Sequence, residues 1–147
     1  MITTRLWHKD LIPVLPRQQL LGQWRECCAI AKSIAEKGTP NHVLVNRIME
    51  YPTCFYIVYT FMVANEMEKR GYKVDTAKIE QYFEDKDYWL TEEFMDAVWD
   101  INSAIFTEWH NDRYLRQCLA NLQEKYDCGA ITDMEWGRIT ARYPEWQ

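Results

Sequence analysis

Glycine and histidine are scarce in this sequence, and long apolar runs are missing. The chain holds five glycines and three histidines, His8, His42 and His110. No apolar stretch approaches the roughly 20 residues that a membrane helix needs, so no membrane span is expected. No segment alternates apolar and polar residues at the strand period, which argues against a sheet. The five cysteines (Cys27, Cys28, Cys54, Cys118 and Cys128) are odd in number, two are adjacent, and none forms a CxxC pair. A disulfide frame is therefore not expected, and free thiols in a reducing compartment are. There is no HExxH. The string Glu108, His110, Asp112 alternates carboxylate and imidazole, but such loose spacing is common on surfaces. The first ten residues carry Arg5, His8, Lys9 and Asp10 and no apolar core, which is unlike a signal peptide and leads to a cytoplasmic expectation.

Net positive charge is also lacking: the chain of 147 residues has a formal charge of −5. Its distribution is uneven. Residues 1–50 hold seven Lys/Arg against four Asp/Glu, whereas residues 51–110 hold five against twelve. A basic first third attracts phosphate and an acidic middle repels it.

The sequence contains seven Trp, nine Tyr and five Phe, enough bulk for a core without staples. Residues 5–15 read as irregular, because Pro13 and Pro16 keep their predecessors out of the α region. Pro16 suits the first turn of a helix that runs to about Lys37, with Gly38 as its stop. Leu20, Leu21, Trp24, Cys27, Cys28, Ala31 and Ile34 give that helix an apolar stripe. A second helix is predicted from Pro40 or Asn41, carrying Val43, Leu44, Ile48 and Met49. A third, apolar all round and hence central, runs from Pro52 or Thr53 to Gly71. Weaker signals suggest a short helix over Thr76–Phe83 and another from Thr91. Asn111 caps a helix ending near Gly129. Thr132 and Glu135 form a capping-box pattern for the last helix, which Pro144 ends. The expectation is an all-α fold, a single compact domain over residues 1–147, with about five to six helices and an irregular N-terminal segment.

The chemistry-bearing stretch is TRLWHKDLIPVLPRQQLLGQWRE at Thr4 to Glu26. With NEMEKRGYKV at Asn65–Val74 and, more weakly, RITARYPEW at Arg138–Trp146, it resembles the pyrimidine-dimer DNA glycosylases of the phage endonuclease V type and their bacterial relatives. That resemblance implies a DNA repair N-glycosylase with abasic-site lyase activity, acting on double-stranded DNA with damaged pyrimidines. The implied nucleophile is a chain α-amine at the position of Thr4. It attacks C1′ of the damaged nucleotide, expels the base and forms a Schiff base, after which β-elimination cuts the strand. An α-amine titrates near 7.7–8.0 against about 10.4 for lysine, so a useful fraction is neutral without special burial. The implied carboxylate is Glu26, which would stabilise the imine and move its protons. Arg5 and Arg25 match the family's arginines. Arg5, Arg25, Gln19 and Gln23 are the expected DNA contacts, with Gly22, Gln23 and Gln19 one and two turns before Glu26 on one polar face.

The resemblance implies no metal and no organic cofactor, and the expected state is a monomer associated with the nucleoid. Because Met1, Ile2 and Thr3 precede the family position, the active chain is expected to begin at Thr3 or Thr4. Two other readings stand beside this one. The first is a non-catalytic helical module derived from that family, binding DNA or a protein. The second is a metal-dependent hydrolase built on Glu108–Asp112.

Overall fold

The first long helix, α1 (Arg17–Lys37), begins and ends where local chemistry requires. Pro16 precedes it, and Gly38 closes it at φ 76°, a left-handed conformation that a side chain would resist. The Gly38 N–H donates to the Ile34 carbonyl at 2.9 Å. Leu20, Trp24, Cys27, Ile30 and Ala31 form the buried stripe, and Gln23 is the polar residue within it. α2 (Thr53–Lys69) has no polar face through its middle. Tyr56, Ile57, Val58, Tyr59 and Thr60 are consecutive and all buried, so α2 is the central element.

The computed structural model describes residues 5–83 and 105–147, and these form an all-α, compact fold with no strand among them. A short α3 (Ala77–Glu80) packs on α1, and α1 packs on α2. α4 (Asp112–Asp127) is capped by the Asn111 side chain, which accepts the Tyr114 N–H at 2.9 Å. α5 (Asp133–Arg142) carries the full capping box between Thr132 and Glu135. The Glu135 carboxylate also accepts the Arg17 N–H at 2.7 Å, which ties the start of α5 to the start of α1. A last 3-10 turn spans Pro144–Trp146. The helix expected from Thr91 lies outside the described residues. No described helix is long and apolar enough to cross a membrane.

One expectation is refined and one needs correction. The N-terminal lead is irregular over residues 5–8, as expected, and continues as a 3-10 helix over Lys9–Val14. Its C-terminal carbonyls are taken by Arg70 at the end of α2, which donates to Leu15 O at 2.7 Å and Pro13 O at 3.1 Å while pairing with Glu66 at 2.9 Å. The helix expected from Pro40 is instead a turn followed by a 3-10 helix, Asn46–Glu50. Asn41 sits at φ 59°, which no α-helix accommodates. Val45 and Ile48 are the buried anchors, whereas Val43, Leu44 and Met49 are exposed. The sequence offers no apolar face at helical spacing that packs.

Candidate active site

Residues 5–9 are held by side chains from three other parts of the fold. The Gln23 amide is fully buried and bridges two of them: its Oε1 accepts the Trp7 N–H at 2.7 Å and its Nε2 donates to Arg5 O at 3.0 Å. Tyr114 donates to Leu6 O at 2.6 Å. Tyr59 Oη lies 2.6 Å from Trp7 O and 3.0 Å from Gln23 Oε1, and its single proton serves the nearer carbonyl. His110 Nδ1 accepts the Lys9 N–H at 3.0 Å, and Lys9 Nζ donates to Ile105 O at 2.6 Å. His8 Nε2 donates to His110 O at 2.9 Å. Buried backbone polar groups must find partners. Here polar side chains supply what a sheet or helix would otherwise provide.

This harness fixes Arg5 beside Glu26. Burial pushes the Glu26 carboxyl above the usual carboxylate range, while the nearby Arg5 backbone N–H and the charges of Arg5, Arg25 and His42 pull it down. Glu26 opens onto a cleft of about 440 Å³ whose lining includes Arg5, Gln19, Gly22, Gln23, Asn121 and Lys125. A Cβ on Gly22 would meet its nearest neighbour, the Arg25 guanidinium, at 3.7 Å, so the absence of a side chain there keeps the cleft floor low. Raised, half-buried carboxyls in clefts are candidates for proton transfer.

Of the residues singled out from sequence, Arg5, Gln19, Gln23 and Glu26 line this one cleft. Arg25 is exposed beside it, and its charge reaches Glu26. Thr4, expected as the nucleophile position, lies outside the described residues. Gln23 is 1% exposed and committed to Arg5 and Trp7. Gln19 Oε1 is buried and finds no hydrogen-bond partner among the described residues. The Arg5 guanidinium lies 5.1 Å over the Trp7 ring and also interacts with Tyr114 and Cys118. Sequence reading missed the opposite wall, Asn121 and Lys125 of α4. It also missed His42, which shares a 230 Å³ cavity with Glu26 and Lys37. Only the polar face of α4, with Gln117, Asn121 and Lys125 at four-residue spacing, hinted at the first two.

The Glu108–His110–Asp112 string does not converge. His110 is buried with Nδ1 engaged by Lys9, while Glu108 and Asp112 are exposed. Burial, with nearby His8, Lys9 and Arg47, holds the His110 pKa down to about 2. Among the described residues no group of three or more His, Cys, Asp or Glu is placed to hold a metal ion. All five cysteines are free, and burial pushes the Cys27 thiol up, away from nucleophilic use.

A family model described as pyrimidine dimer DNA glycosylase matches residues 4–80, just over half of the chain. The match spans α1, α2, α3 and the harnessed lead, and includes both Arg5 and Glu26. No curated protein and no solved structure gives a significant match.

Proposed function

The chain belongs to the pyrimidine dimer DNA glycosylase family, and from that premise we propose that it removes damaged pyrimidines from double-stranded DNA and cuts the resulting abasic site through an N-terminal Schiff base. The observation that carries this reading is Glu26, a half-buried carboxyl raised above the usual range that lines one cleft with Arg5. Thr4 immediately precedes Arg5 in the chain, so an amine at that position is one residue from a cleft-lining arginine, which suits attack on C1′.

In this scheme the amine forms a bond to C1′ as the glycosidic bond breaks, and the base leaves with that electron pair. Glu26 accepts the proton released by the amine and passes it to O4′ as the C1′–O4′ bond breaks and the sugar opens to the protonated imine. The regenerated carboxylate then removes a proton from C2′, the C3′–O bond breaks, and the 3′ phosphate departs with that electron pair. The positive charges of Arg5, Arg25 and Lys125 hold the opened backbone, and Gln19 contributes an acceptor to the cleft. Gln23 positions the lead segment through Arg5 and Trp7 and lines the same cleft. No step requires a metal or organic cofactor. The active chain begins at Thr3 or Thr4, acts as a monomer and works on the nucleoid in the cytoplasm.

Borohydride reduction with an abasic duplex tests this. The expected result is a covalent adduct whose linkage maps by mass to an α-amine at Thr3 or Thr4. Glu26→Gln should lower trapping by about 10²–10⁴-fold while leaving DNA binding in place. Binding without any trapped adduct would assign the chain to a non-catalytic module. Wild-type turnover in Glu26→Gln would remove that residue from the site.

A further inference from the structure

Next to the Glu26 cleft, the turn after α1 exposes two aliphatic side chains that nothing in the fold requires. Val43 is 88% exposed and Leu44 43%. The turn beneath them is braced. His42 O accepts both the Val45 N–H at 3.0 Å and the Asn46 N–H at 2.9 Å, and Asn46 Oδ1 accepts the His42 N–H at 3.1 Å. Thr39 Oγ1 accepts the Asn41 N–H at 3.2 Å, and fully buried Val45 anchors the turn to the core. A β-branched valine on a braced turn is a stiff apolar tip.

Its surroundings define its partner. On one side, Val43 and Leu44 line a 540 Å³ cleft with Arg5, Arg47, Arg113 and Trp109, and none of the described residues lining that cleft is acidic. On the other side, His42 lines the cavity that holds Glu26. An apolar tip set among arginines, adjacent to a proton-transferring carboxylate, matches a duplex whose phosphates face the arginines and whose base stack faces the tip. We propose that Val43 and Leu44 form a wedge that enters the base stack beside the target nucleotide and holds it open for Glu26. The proposal rests on the glycosylase reading for its target but not for its geometry. Side chains of this type are the ones that part base steps, and a sugar carbon inside an intact stack is out of reach of the amine.

The test compares the full chain with a Val43→Ser, Leu44→Ser double variant. The probes are a duplex with one abasic site flanked by 2-aminopurine and the same strand without its complement. Wild-type protein should raise 2-aminopurine fluorescence in the duplex, and the variant should not. The ratio of duplex to single-strand borohydride trapping should fall about ten- to hundredfold in the variant, as expected when one to two buried aliphatic contacts are lost. An equal fluorescence rise in both proteins overturns the wedge. An equal loss of trapping on both substrates also overturns it, because no stack has to be opened in the single strand. Wild-type self-association that the variant lacks would give the turn to a second copy of the chain instead. If wild-type protein opens the duplex through this turn but traps nothing, the wedge stands and the lyase reading fails. If it binds neither substrate, both fail.

Discussion

Two segments flank Glu26, and they are built in opposite ways. In the lead segment, residues 5–9, the backbone is bonded by side chains from elsewhere: Gln23 of α1, Tyr59 of α2, Tyr114 of α4 and His110. In the turn at 39–46, all but one of these bonds stay inside the segment, the exception being Ser33 Oγ of α1, which donates to Thr39 O at 2.7 Å, and the side chains at its tip face outward. The first arrangement holds a chain segment at a fixed place relative to three distant elements. The second holds a local shape and presents it. Chemistry that depends on a tethered amine needs the first, and a surface that meets DNA is served by the second.

The largest effect that can break this contrast comes from Gln23→Ala. It leaves the buried Trp7 N–H and Arg5 carbonyl without partners, at about 1–3 kcal/mol for each such group. Urea unfolding should therefore show a loss of at least about 2 kcal/mol, accompanied by reduced borohydride trapping as Arg5 moves from Glu26. Asn46→Ala in the turn removes one exposed bond to His42 and should cost less than about 1.5 kcal/mol. Equal losses in the two variants would erase the distinction between the segments.

A smaller effect follows from pH. Burial holds His110 neutral down to about 2, and His8 is also lowered by burial. Between that value and the unfolded value of 6.5 the unfolded chain binds protons that the folded chain refuses. Stability should therefore fall as pH drops below 6.5, by up to about 1.4 kcal/mol per pH unit for each such histidine. Glu26 acts in the opposite sense. Its carboxyl is raised above the ordinary carboxyl value by burial, so its ionisation costs stability as pH rises through that range. His110→Asn keeps an acceptor for the Lys9 N–H and removes the titration. Urea midpoints measured between pH 5 and 7 should flatten in that variant. An unchanged slope would mean that the histidine is not the source of the acid sensitivity.

The smallest effect sharpens the contrast on the DNA side. Arg25 is exposed on α1, so Arg25→Ala should leave stability within about 0.5 kcal/mol. If Arg25 neutralises one phosphate, the slope of log affinity against log salt should flatten by about 0.9. Arg5→Ala should change both slope and stability, because Arg5 also packs over Trp7. A salt series on an abasic duplex, paired with thermal melts, separates the two. A stability loss in Arg25→Ala equal to that in Arg5→Ala would show that the lead holds its arginine no differently from an open helix face.

Helix limits were legible where one residue decides them. Pro16 and Gly38 bound α1, Asn111 caps α4, and Thr132 with Glu135 starts α5, because each acts on its immediate backbone. The turn at 40–46 reads as helix from sequence because Val43 and Leu44 are apolar, and apolarity alone does not say whether a side chain finds a partner. Glu26 could be singled out from the pattern around it, whereas periodicity placed it on an ordinary polar face.

What the sequence by itself determined about this protein is its class, its helices and their caps, the family-bearing stretch and the central apolar character of α2. These depend on contacts within a turn or two of the chain, where spacing is information. Only the tertiary structure decided that Gln23 turns inward to hold the lead and that Asn121 and Lys125 face Glu26 across a cleft. It likewise decided that His110 is a buried brace and that Val43 and Leu44 stand in solvent beside arginines. Each of these depends on which distant element covers a given face, and burial by a distant element leaves no mark on the local spacing of residues.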